Sequence, residues 1–254
     1  MPFTISHAAA VLPLRKLTRS YFPLAALMIG SMSPDFAYFL PGEPLRLLTH
    51  SIPGIFWFCW PVSMAVWLVF THVLEQPTFA LLPDSWYARF TPSSREVTSR
   101  TLALASAAVI VGAATHVLWD SFTHRGTRIV DVLPGLHSVA FYYHGWRIRW
   151  FMVLQHLSTV AGMAILLVWA WRLPRTNNAP RALPPESHAT RIRAVAFVIA
   201  ASLAFAIARY ALNADLWLGR RLFHFAIGGM TGLVLAWLVI AVMITVRQSR
   251  SNED

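Results

Sequence analysis

The chain has 254 residues, 56% hydrophobic and 13% charged, with a formal charge of +10. An ordinary soluble domain has about 25% charged residues, so this composition excludes a simple water-soluble globule. The basic excess is almost all arginine flanking apolar runs, which reads as contact with lipid headgroups rather than with nucleic acid.

Residues 3–17 have mixed polarity and suit a short amphipathic segment at the membrane surface. The opening stretch holds His7 and Pro13 and lacks a clean apolar core, so no secretory signal is expected. Residues 21–40 are nominally long enough to cross a bilayer, but Pro23, Gly30, Pro34 and Asp35 interrupt them. A broken or re-entrant helix is expected there, its freed backbone groups covered by other helices.

Residues 52–74, 101–119, 150–171 and 222–246 are charge-free runs near the length of about 20 residues that a spanning helix needs. Residues 194–208 reach that length if Arg209 snorkels to the interface. The expected fold is all-α: a polytopic membrane helix bundle with about five transmembrane helices plus an N-terminal re-entrant or broken helix. Residues 76–100 read as a polar connection, and 125–149 as a loop rich in His, Tyr, Arg and Gly.

Three parts are expected. Residues 1–172 form a membrane domain with the candidate site, 173–190 a Pro-rich linker, and 191–254 two C-terminal transmembrane helices. In the last helix Gly228 and Gly232 give a small-x-x-x-small face for close packing. Cys59 is a lone cysteine in an apolar run, so no disulfide framework or thiolate cluster is expected. With five spans the basic residues divide evenly between the two sides and give no orientation; if 21–40 also crosses, they favour cytoplasmic termini.

The chemistry concentrates in Thr115-His116-Val117-Leu118-Trp119-Asp120-Ser121-Phe122-Thr123-His124, at the end of an apolar run. Ionisable groups at a membrane edge are costly and usually functional. On a helix His116 and Asp120 share a face, with His124 one turn further along. Imidazole and carboxylate together suit a divalent metal such as zinc without any thiolate. In the five-span arrangement His7, Asp35, His50 and His156 reach the same side of the bundle, and ligands from several helices are how such sites are built.

Each has a plainer reading. Asp35 after Pro34 fits a helix N-cap, His7 a surface cap, and His50 an interfacial residue. His116 and Asp120 could be a hydrogen-bonded pair that pins helices. His124 could orient a neighbour rather than bind metal, and His156 could hydrogen bond inside the bundle. His72 lies at the far end of its span; His137, His144 and His188 fall in loops, and His224 reads as packing. Two other classes stay open: a haem protein with His116 and His156 as axial ligands, and a transporter with the acids in an ion path.

Several motifs together resemble a bacterial membrane family, the domain-of-unknown-function family 4184. They are Met1-Pro2-Phe3-Thr4-Ile5-Ser6-His7, Gly30-Ser31-Met32-Ser33-Pro34-Asp35-Phe36, Thr49-His50-Ser51, the 115–124 stretch and Leu154-Gln155-His156-Leu157-Ser158. That family is distantly similar to inner-membrane metal-dependent hydrolases, which in turn resemble zinc-dependent phospholipase C. The resemblance implies metal ligation by His7, Asp35, His50, His116 and Asp120. Those hydrolases often carry a second acid two residues after the Pro-Asp aspartate; here that position is Ala37.

The expected function is a metal-dependent hydrolase in the bacterial cytoplasmic (inner) membrane, acting on a phosphoester or ester at the membrane surface. Asp35 and Asp120 are the candidate catalytic carboxylates. Arg125, Arg128, Arg147 and Arg149 are candidates for a lipid or lipid-linked phosphate substrate.

Overall fold

Pro34 shapes the interrupted segment 21–40. In the computed structural model, which describes residues 4–18, 21–40, 45–90, 96–175 and 185–251, the helix Leu24–Met32 tightens at the proline into a 3-10 helix, Ser33–Phe39. Nine α-helical residues rise only about 14 Å, too little to cross a hydrocarbon core. Five helices among the described residues are long and apolar enough to do so: Ile52–Leu81, Ser99–Val132, Trp150–Arg172, His188–Ala211 and Leu218–Arg247. The chain is thus an all-α, multi-pass membrane protein. The spans exceed the apolar runs at one or both ends because helices continue past the charge-free stretch into polar residues.

One compact unit comprises Met1–Leu68 with Glu96–Arg172. At its centre Leu24–Met32 lies against Ser99–Thr123, backbone on backbone. A Cβ on Gly30 would sit 2.4 Å from the Val109 carbonyl oxygen, and one on Gly112 would sit 2.3 Å from that of Leu27. Two glycines facing each other therefore let the helices touch where any larger residue would hold them apart. Ala26, Leu27, Ala105, Ala108 and Val109 are fully buried around this contact. The 3-10 helix Thr4–Val11 packs on Trp150–Arg172 and on Leu24–Met32.

The helix Ser99–Thr123 opens with a capping box: the Thr98 hydroxyl accepts from the Thr101 N–H, and the Thr98 N–H donates to Thr101 Oγ1. The helix Ile52–Leu81 begins at Ser51, whose Oγ accepts from the Gly54 N–H. It contains two π-helical stretches, Ile55–Cys59 and Phe70–Leu74. The loop after residue 125, read as irregular, includes a two-stranded antiparallel hairpin, Val139–Tyr143 with Trp146–Arg149. Its turn is His144-Gly145, both at positive φ (45° and 79°), which is what a two-residue hairpin turn demands.

The second unit comprises Val69–Arg95 with Leu173–Asp254. Residues 69–95 thus group with the C-terminal helices, whereas the sequence placed them with the first 172 residues. His188–Ala211 and Leu218–Ser251 form a hairpin in which Gly228 sits over the Phe205 carbonyl and Gly232 over that of Ala201, as the small-x-x-x-small spacing predicts. Trp237 Nε1 donates to Thr78 Oγ1 at 2.7 Å, and Arg247 pairs with the buried Glu186. Within the Pro-rich linker, residues 176–184 lie outside the described residues, and its last part is already helical from His188.

Candidate metal centre

The glycine contact sets the register of the site. With the two backbones touching, the Ser31 carbonyl accepts a hydrogen bond from His116 Nδ1 at 2.7 Å. A carbonyl only accepts, so Nδ1 carries a proton and Nε2 is the ring nitrogen turned to the cluster. Near it lie Asp35 Oδ1 at 3.8 Å and Asp120 Oδ2 at 3.5 Å.

His50 repeats the arrangement. Its Nδ1 lies 3.2 Å from the Arg46 carbonyl, four residues back on the short helix Arg46–Thr49. Its Nε2 lies 3.4 Å from both Asp35 Oδ1 and Asp120 Oδ2. His7, from the 3-10 helix, puts Nε2 at 3.5 Å from Asp120 Oδ1, with its ring stacked on His116 at 3.7 Å. Burial and the neighbouring His116 hold the His7 imidazole down at about 3, so it is neutral at physiological pH. For His50 burial acts downward too, but the neighbouring carboxylates of Asp120 and Asp35 prevail and raise it.

Buried atoms of one kind thus point at one another. His7 Nε2, His50 Nε2, His116 Nε2, Asp35 Oδ1 and Asp120 Oδ1 are all buried without a hydrogen-bond partner. Such groups normally find partners, and each orphan costs about 1–3 kcal/mol. Their separations of 3.4–3.8 Å exceed hydrogen-bond lengths but suit ligands of one small cation, since N and O donors about 2.0–2.1 Å from tetrahedral zinc lie about 3.3 Å apart. Two overlapping sets can hold an ion, His7–Asp35–His116 and His50–His116–Asp120, sharing His116.

Two supporting residues are not evident in the sequence. Thr4 Oγ1 donates to Asp35 Oδ2 at 2.8 Å, and Arg46 Nη2 lies 3.6 Å from Asp120 Oδ2. Both were legible in principle: Thr4 is three residues before His7 in a 3-10 turn, and Arg46 is four before His50. His124 falls outside both ligand sets; its Nδ1 is 3.4 Å from Asp120 Oδ2 and 3.1 Å from Thr123 Oγ1, the place of a residue that orients the carboxylate.

His156 does not join. The helix Trp150–Arg172 buries Phe151 and Gly162, and His156, about 140° around from Phe151, is exposed. The His116–His156 pair that a haem reading requires is therefore not assembled. Of the arginines proposed for substrate, Arg125, Arg128 and Arg147 are exposed, and Arg149 Nη1 reaches the His137 ring and carbonyl. The arginine beside the cluster is Arg46, next to Asp120.

Fold and site together define a polytopic helical membrane protein with a buried His/Asp cluster able to hold a metal ion. The chain belongs to the DUF4184 family, a domain of unknown function, whose model matches residues 1–242. No curated protein and no solved structure matches it.

Proposed function

We propose that this protein is a metal-dependent hydrolase of the bacterial cytoplasmic membrane, acting on a phosphoester or ester at the membrane surface. One observation carries the reading: five buried, unpartnered donor atoms from four segments of the chain gather in two overlapping sets able to hold an ion. His7, Asp35, His50, His116 and Asp120 would hold a divalent ion, zinc by the chemistry of an all-imidazole and carboxylate set. When bound, such an ion lowers the pKa of its water and polarises the ester or phosphoryl oxygen.

The two carboxylates have different surroundings. Asp120 is encircled, with His7 at Oδ1 and with Arg46, His50, His116 and His124 at Oδ2. Asp35 is held through Oδ2 by Thr4 and offers Oδ1. With fewer charged neighbours than Asp120, Asp35 is the carboxylate we assign to orient a water where it does not itself bind the ion.

The test is metal analysis of purified protein beside His116→Ala and Asp120→Asn, followed by turnover of phosphomonoester and carboxylic ester substrates. The proposal expects metal and turnover in the wild type and loss of both in the variants. Metal without turnover of either substrate would reduce the protein to a metal-binding module, and equal low metal in all three would remove the site.

A further inference from the structure

Exposure rises across the cluster. Side-chain exposure climbs from 0% at His116 through 2% at His7 and Asp35, 4% at Asp120, 8% at His50 and 10% at His124 to 28% at Arg46. Among these residues Arg46 is the one most in contact with the surroundings.

Charge points the same way. Asp35 and Asp120 cancel a divalent ion, and the Arg46 guanidinium then leaves one unit of positive charge in excess. Its 3.6 Å separation from Asp120 is longer than a charge-assisted hydrogen bond, and a guanidinium has five N–H donors to distribute. Arg46 is also firmly placed. Its carbonyl accepts from the His50 backbone N–H at 2.9 Å and lies 3.2 Å from His50 Nδ1. A part-exposed arginine next to a ligand residue and beside a cation site attracts an anion.

Resting on the metal-dependent reading above, we propose that Arg46 is an anion-binding subsite that receives the phosphoryl oxygens of the substrate. The protein then selects charged phosphoesters over neutral carboxylic esters. A lipid phosphate and a water-soluble one share this chemistry.

The experiment uses full-length, zinc-loaded protein in detergent and inorganic phosphate as the probe, with wild type, Arg46→Met and Arg46→Lys. Zinc content should be unchanged in all three. Phosphate affinity should fall by about 10- to 100-fold in R46M, the span expected for a lost charged hydrogen bond, with R46K in between. In turnover assays R46M should raise KM for a phosphomonoester and for detergent-dispersed phosphatidic acid by more than it changes KM for a neutral ester. A drop for phosphatidic acid alone identifies a lipid substrate and a drop for both a shared headgroup contact; either outcome supports the subsite. R46M and R46K that hold zinc and bind phosphate like wild type overturn this proposal and leave the metal centre standing. A wild type that binds neither zinc nor phosphate overturns both.

Discussion

Replacing Gly112 by alanine tests whether the backbone contact sets the site. The new Cβ would lie 2.3 Å from the Leu27 carbonyl oxygen and 2.7 Å from the Ser31 nitrogen, both backbone atoms that cannot rotate away. Ordinary contact begins at 3.4 Å, so the helices must part by about 1 Å. The hydrogen bond from His116 to Ser31, now 2.7 Å, would stretch to about 3.7 Å, beyond bonding range. Overpacking costs about 1–3 kcal/mol and the orphaned buried pair about 1–3 more, against a total stability of about 5–15 kcal/mol. Ligand distances tolerate only about 0.2 Å, so zinc affinity should fall by at least about 10- to 100-fold, the range seen when an orienting partner is lost. The assays are zinc competition against a chromophoric chelator and thermal unfolding with and without zinc. Gly135→Ala, with nothing within 4 Å of its Cβ, is the control. G112A protein that takes up zinc with wild-type affinity would refute the reasoning.

Thr4→Val removes the donor to Asp35 Oδ2 and should weaken zinc binding by about 10-fold with little change in helix content, read by chelator competition and circular dichroism. His156→Ala should leave zinc content and affinity unchanged, because that side chain is exposed on the far face of its helix. Zinc loading should release protons and tighten as pH rises. His50, raised by Asp120 and Asp35 against its burial, must give up a proton, whereas His7, held at about 3, has none to lose. Calorimetry in buffers of different ionisation enthalpy should report about one proton released near neutral pH. In zinc-free protein the His50 contribution to stability is complete below about pH 6.5 and lost as pH rises through its raised folded value, so adding zinc should stabilise most in alkaline buffer.

Much of this was legible in the sequence, for physical reasons. Charge-free runs mark spans because a buried charge in hydrocarbon has nowhere to go, and the 52–74 and 101–119 runs fall inside Ile52–Leu81 and Ser99–Val132. His116, Asp120 and His124 could be placed on one stripe from helical spacing alone. His156 could not be placed, because which face of Trp150–Arg172 turns inward depends on the packing of Thr4–Val11 against it. Arg46 was counted as a membrane anchor because its partner, Asp120, is 74 residues away. The hairpin at Val139–Arg149 went unseen although His144-Gly145 is a turn signal, since alternation in so aromatic a stretch is weak.

The two π-helical stretches of Ile52–Leu81 bear on how that helix is read. Ser63, Trp67, Thr71 and Glu75 recur every fourth residue and are all buried. Each α-helical step of four overshoots a full turn by about 40°, and the wider π turn at Phe70–Leu74 gives part of that back. Deleting one residue there would leave an unbroken α-helix of nearly the same length, with Glu75 and all that follows at nearly the same angle. The rod carries its own phase correction, so a span drawn from hydropathy alone will misplace its polar side chains by up to a quarter turn.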